Sequence, residues 1–222
     1  MERIRLPGVV RRELRIPNLV IAAAFVSTLL AGPADAATPV KILVLGDSLA
    51  SGWGLPADQA FPTRLEAKLR ARGHAVRLVN AGVAGDTSAG GKARLDWAMT
   101  ERPGIVIVEL GANDSLRGLD PNATRANLDD ILTRLKSRGV RSLLAGMKAP
   151  PNLGEEYGGE FNAVFPELAN RHNVALYPFF LDGVAAQSGF NQPDGIHPNA
   201  RGVAVIVDRI LPYVVRLLKS SE

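Results

Sequence analysis

Val40-Lys-Ile-Leu-Val-Leu-Gly-Asp-Ser-Leu-Ala-Ser-Gly52 opens with a run of β-branched and leucine residues that stops at Gly46, two residues before a serine. An apolar run ended by Gly-Asp-Ser reads as a strand buried on both faces that delivers a hydroxyl to a strand-to-helix turn. On this reading Ser48 is a candidate nucleophile. Downstream, Phe61, Leu65 and Leu69 form an apolar stripe at helical spacing, closed by Arg72-Gly73. Ala75 to Ala81 is a second strand entering Gly82-Val-Ala-Gly-Asp-Thr-Ser88, and a short helix is expected over about 91–100. Ile105 to Leu110 is a third strand, running into Gly111-Ala-Asn-Asp-Ser115. Asp120 caps a helix with Pro121 at its first position and Leu128, Ile131, Leu132 and Leu135 on its buried face, stopping at Gly139.

The pattern continues with a fourth strand within Val140 to Ala149, a loop through Gly158-Gly159, and a helix carrying Phe161, Val164, Phe165 and Leu168. Val174 to Phe180 is a fifth strand, and Gln187 to Pro198 a polar loop. The last helix holds Val203, Ile206, Val207, Ile210, Val214 and Leu218, and Pro212 is expected to kink or split it. Parallel neighbours need crossover connections, so five strands alternating with helices predict an α/β fold: a three-layer α/β/α sandwich around a five-stranded parallel sheet. Flavodoxin-like strand order is expected by analogy.

With 222 residues, 46% hydrophobic and 22% charged, the chain suits one well-buried domain. Its first 36 residues hold five arginines and three acids, then the uncharged run Leu19 to Gly32 and Ala34-Asp35-Ala36. These are the three parts of a secretory signal peptide, so residues 1–36 are expected to be removed after Ala36, leaving 37–222 as a single exported domain without stable membrane insertion. An uncleaved N-terminal anchor is the alternative. Beyond Ala36 there are 21 basic and 19 acidic residues, scattered, which gives no electrostatic footprint for nucleic acid. Cysteine is absent, so disulfides and a thiolate nucleophile are excluded.

In a parallel sheet, strand-to-helix connections lie at the carboxyl edge, where ligands bind. His74 and His172 fall between a helix and the next strand, at the opposite edge, and read as structural. His197 alone follows the last strand. The carboxyl edge thus gathers Asp47-Ser48, Gly85-Asp86, Asn113-Asp114, and Asp194 with His197. A neutral imidazole suits removal of the Ser48 proton, and Asp194 can hold that imidazole in one tautomer from the same loop. The amides of Ser48 and Gly85 and the side chain of Asn113 are the available oxyanion donors. Gly82 reads as serving a tight turn, and Asp47, Asp86 and Asp114 as bracing loops through backbone amides.

Gly46-Asp47-Ser48-Leu49, Gly85-Asp-Thr-Ser88, Gly111-Ala-Asn113-Asp114 and Asp194-Gly-Ile-His197-Pro198 resemble the four blocks of the SGNH, or GDSL, hydrolases, over essentially the whole of 37–222. The chain looks nearest to the periplasmic thioesterase I, lysophospholipase L1 and arylesterase branch. The resemblance implies Ser48, Asp194 and His197 as the triad, Ser48, Gly85 and Asn113 as the oxyanion hole, and no metal or organic cofactor. It also implies a small-molecule ester or lipid substrate, with a flexible loop from Ser115 through Leu116 to Leu119 lining an acyl channel. Ala112 departs from the family's second glycine in this block. Three other readings are open at this point: a carbohydrate O-acetyl esterase with the same triad, a Mg²⁺-dependent phosphoester hydrolase built on the edge aspartates, and a non-catalytic binding protein.

Overall fold

The computed structural model describes Met1, Glu2, Gly8 and residues 38–219, so the expected signal segment lies outside the described residues. Residues 38–219 belong to one compact unit. Five strands form it: β1 (Val40–Gly46), β2 (Val76–Gly82), β3 (Ile105–Glu109), β4 (Arg141–Ala145) and β5 (Ala175–Tyr177). They pair in parallel in the order β2-β1-β3-β4-β5. The apolar runs are therefore the strands, and β3 is buried along its whole length.

The helices are α1 (Ser48–Ser51), α2 (Phe61–Ala71), α3 (Ser88–Ala93), α4 (Leu95–Met99), α5 (Ala112–Leu116), α6 (Pro121–Ser137), α7 (Glu155–His172) and α8 (Ala200–Lys219). The β1-to-β2 crossover runs one way along the sheet and the later crossovers run the other. Right-handed connections then put α2 on one face and α3, α6 and α7 on the opposite face. The packing follows: α2 meets α8 on the first face, while α6 meets α3 and α7 on the second. Phe61, Leu65 and Leu69 of α2, and Leu128, Ile131 and Leu135 of α6, are fully buried, so both stripes face the sheet. Among the described residues no helix is long and apolar enough to cross a membrane.

Four local expectations are corrected. The segment after β2 is two short helices that begin at Ser88, because the Thr87 hydroxyl accepts the Gly90 amide and Arg94 breaks the helical run. The helix before β5 begins at Glu155 and contains Gly158 and Gly159. Each glycine costs about 1 kcal/mol there. Glu155 and Glu156 in the first turn oppose that cost through the helix dipole, and Tyr157 stacks on Phe161 at 6.0 Å, one turn on. The fifth strand is only three residues long, since Pro178 has no amide to continue the ladder. Finally, α8 is not split at Pro212. Pro212 and Asp208, whose carbonyl loses its partner, both face solvent, and the buried stripe from Val203 to Val214 runs through undisturbed.

Candidate active site

The turn after β1 presents Ser48 as the first residue of α1. Asp47 caps that helix, its Oδ1 accepting the Leu49 amide at 2.9 Å. His197 Nε2 lies 2.9 Å from Ser48 Oγ, and His197 Nδ1 lies 2.7 Å from Asp194 Oδ2. With its Nδ1 proton donated to Asp194, the imidazole leaves Nε2 bare to accept the serine proton. Asp194 Oδ1 accepts the amides of Ile196 (2.9 Å) and His197 (3.0 Å). The His197 amide, then its ring, then the Ile196 amide hold the Asp194 carboxyl down at about 2. Gly195 makes this possible, because its φ of +72° folds the chain so that one carboxylate meets both following amides and the ring.

The loop bearing these two residues is anchored at both ends. Asn199 Oδ1 accepts the Arg201 and Gly202 amides at the start of α8, and its Nδ2 donates to the Gly189 and Asn191 carbonyls. Gln192 Nε2 donates to the carbonyls of Pro198 (3.0 Å) and Trp53 (2.8 Å), which ties the histidine loop to the segment after α1. Trp53 itself stands 55% exposed, its ring 6.3 Å from that of His197.

Asn113 lies on α5 rather than in a loop. Its Nδ2 donates one proton to Asp47 Oδ2 at 3.1 Å, so the second is left for another acceptor. Burial pushes the Asp47 carboxyl up to about 6, against the lowering effect of the Leu49 amide and Asn113. Gly85 sits at φ +79°, and Arg117 donates to its carbonyl at 2.8 Å, which orients that peptide.

Asp114 braces as expected, accepting the Ser88 amide and hydroxyl and the Thr124 hydroxyl. Asp86 does not: it pairs with Arg94 at 2.6 Å. The same guanidinium donates to the carbonyls of Ala81 and Gly46, so it fastens the ends of β1 and β2 to the Gly85 turn. Gly82 is required by close approach rather than by a turn, since a Cβ there would fall 2.8 Å from Ser51 Cα and 2.9 Å from the Ala50 carbonyl carbon. The edge aspartates are thus each committed to different protein donors, and among the described residues no three metal-ligating side chains converge.

A cavity of about 460 Å³ is walled by Leu116, Met147, Pro150, Phe179, Leu181 and Ile196, the residue just before His197 in the chain. Ser115 also lines it, but its hydroxyl donates to the Ala112 carbonyl at 3.0 Å. Ser115 and Leu116 are in α5, not in a loop, and Leu119 is outside the lining, its carbonyl accepting from the Tyr157 hydroxyl.

Residues 44–205 match the model of the GDSL-like Lipase/Acylhydrolase family. The chain belongs to that family. Esterase TesA of Pseudomonas aeruginosa is 37% identical over 201 residues, covering 90% of this chain and 98% of the relative. The thioesterase 1/protease 1/lysophospholipase L1 of Escherichia coli K12 is 39% identical over 78% of this chain and 82% of its own length. Among solved structures, the psychrotrophic esterase EstA of Pseudoalteromonas sp. is 31% identical, with a TM-score of 0.77, over 81% of this chain and 98% of the neighbour. As a GDSL-family member with such relatives, the protein is a serine ester hydrolase acting on small-molecule esters.

Proposed function

We propose that Ser48 is the nucleophile, His197 its base and Asp194 the carboxylate that orients His197, in an exported hydrolase of carboxylic esters or thioesters with apolar acyl groups. The continuous relay from Ser48 Oγ through His197 to Asp194, 2.9 and 2.7 Å long, carries this reading. The hydroxyl proton passes to Nε2 as Oγ attacks the acyl carbon, and the imidazolium returns it to the leaving group. Water, activated by the same nitrogen, then releases the acid from the acyl-enzyme. The Ser48 and Gly85 amides and the second Nδ2 proton of Asn113 are the donors assigned to the oxyanion.

Asn113→Ala is expected to lower kcat on the order of 10²- to 10³-fold, the loss of one oxyanion donor, in steady-state assays on p-nitrophenyl butyrate. A change under threefold would leave Asn113 a structural role only.

The apolar cavity supports acyl groups well beyond acetyl, which would leave most of it empty. Each methylene buried contributes about 0.8 kcal/mol, or about fourfold in kcat/KM until the cavity is filled. Hydrolysis of p-nitrophenyl esters from acetyl to dodecanoyl, together with one acyl-CoA and one lysophospholipid, tests this. Preference for acetyl would point instead to a sugar deacetylase. Export is proposed from the signal-like residues 1–36, with 37–222 the mature domain. The exported protein, sequenced from its amino terminus, should then begin at Ala37.

A further inference from the structure

Beneath the turn that carries Ser48 lies a carboxyl group for which the reaction above has no use. Glu109 ends β3, opposite Gly46 in the β1–β3 register, and is fully buried. Its Oε2 accepts the Asp47 amide at 3.2 Å, and the Ala50 amide dipole also acts on the carboxyl. Its Oε1 is buried and has no hydrogen-bond partner among the described residues. Gly46 is what lets the carboxyl reach this position, since a Cβ there would overlap Oε2 and fall 2.6 Å from Ala50 Cβ.

The first amides of a helix have no intrahelical acceptor, and here most of them are assigned. That of Asp47 goes to Glu109 and that of Leu49 to the Asp47 side chain, while that of Ala50 lies within electrostatic reach of Glu109. The Ser48 amide is the one left over, with an amide held on either side of it. We propose that Glu109 is a positioning residue for the oxyanion hole: as a neutral carboxylic acid it pins the Asp47 amide, one peptide ahead of the Ser48 amide, and so leaves the Ser48 amide as a fixed, free donor. The proposal rests on Ser48 being the nucleophile.

The neutral form follows from the surroundings. An ionised group here would be a buried charge with one oxygen unpaired and the Asp47 carboxyl close by, which costs far more than a buried hydroxyl. Burial, with the Asp47 charge adding to it, raises the Glu109 carboxyl well above the ordinary range.

Two variants test this, with melting temperatures recorded beside kcat and KM on p-nitrophenyl butyrate. Glu109→Gln keeps an uncharged acceptor for the Asp47 amide, and kcat should stay within about threefold of wild type. Glu109→Met fills similar space with no acceptor. It should lose about 10- to 100-fold in kcat, less than removal of a whole donor, with KM within about twofold. Unchanged kcat in the methionine variant, or equal losses in both, would overturn the proposal. Should the methionine variant fail to fold, Glu109→Leu takes its place with the same expected loss, and a loss beyond about tenfold in the glutamine variant refutes the neutral acceptor. Failure of the nucleophile reading itself is separate, because it would appear as undiminished turnover in Ser48→Ala.

Discussion

Ser48→Ala is expected to lower kcat on p-nitrophenyl butyrate on the order of 10⁶-fold, the scale seen when a serine hydrolase loses its nucleophile, while the protein stays folded. The loss is this large because no other group can replace the hydroxyl in the bond-forming step. His197 would still be aligned by Asp194 but would have no proton to take. What activity is left must come from oxyanion donors and binding acting on water. The fold should persist because the hydroxyl makes a single polar contact, to His197, whereas the backbone of the turn is held by other groups. The Ser48 carbonyl still accepts the Ser51 hydroxyl at 3.2 Å and the Trp53 amide at 3.2 Å, and the Asp47 carboxylate still caps α1. A melting temperature close to wild type together with lost turnover is the diagnostic pair. Turnover near the wild-type rate in the alanine variant would end the case for Ser48.

The fold was legible because a parallel sheet buried on both faces writes its strands as nearly uninterrupted apolar runs, and β1 and β3 are of that kind. The edge of the sheet on which each polar residue falls then follows from topology alone. It separated His197 from His172, which is buried at the end of α7 and bonded to Asp129 at 2.7 Å. What escaped was everything that depends on contact between distant segments. Arg94 reaches Gly46, 48 residues away, and Gln192 reaches Trp53, 139 residues away, and no local pattern carries either pairing. Glu109 did leave a signal. A glutamate at the end of Ile-Val-Ile-Val, in a strand that must be buried, needs a partner, and the nearest amides are those of the nucleophile turn. The element ends were misjudged where side-chain contacts outweighed propensity, as with the two glycines inside α7, and where proline has exposed neighbours, as in α8.

Asp194→Asn is expected to reduce kcat up to roughly 10⁴-fold with little change in fold. An asparagine oxygen can still accept the Ile196 and His197 amides, so the loop around Gly195 keeps its shape. Facing the ring, however, the neutral amide offers no charge to the imidazolium that forms when Ser48 gives up its proton. If the amide nitrogen turns toward Nδ1, that nitrogen must accept, and the proton moves to Nε2, where it blocks the serine. The pH dependence separates this role from a merely structural one. The wild-type carboxyl is held at about 2, below its ordinary value of about 3.9, so its ionised state is favoured by folding. The stability it contributes is present above about pH 4 and is lost only as the pH falls toward 2. Across the range in which the enzyme is assayed Asp194 therefore stays charged, and any acid limb in wild-type kcat/KM above about pH 4 belongs to another group. In the asparagine variant the rate should be depressed at every pH in that range. Recovery to wild-type kcat at high pH would show that the carboxylate only eases deprotonation, and would remove Asp194 from the relay.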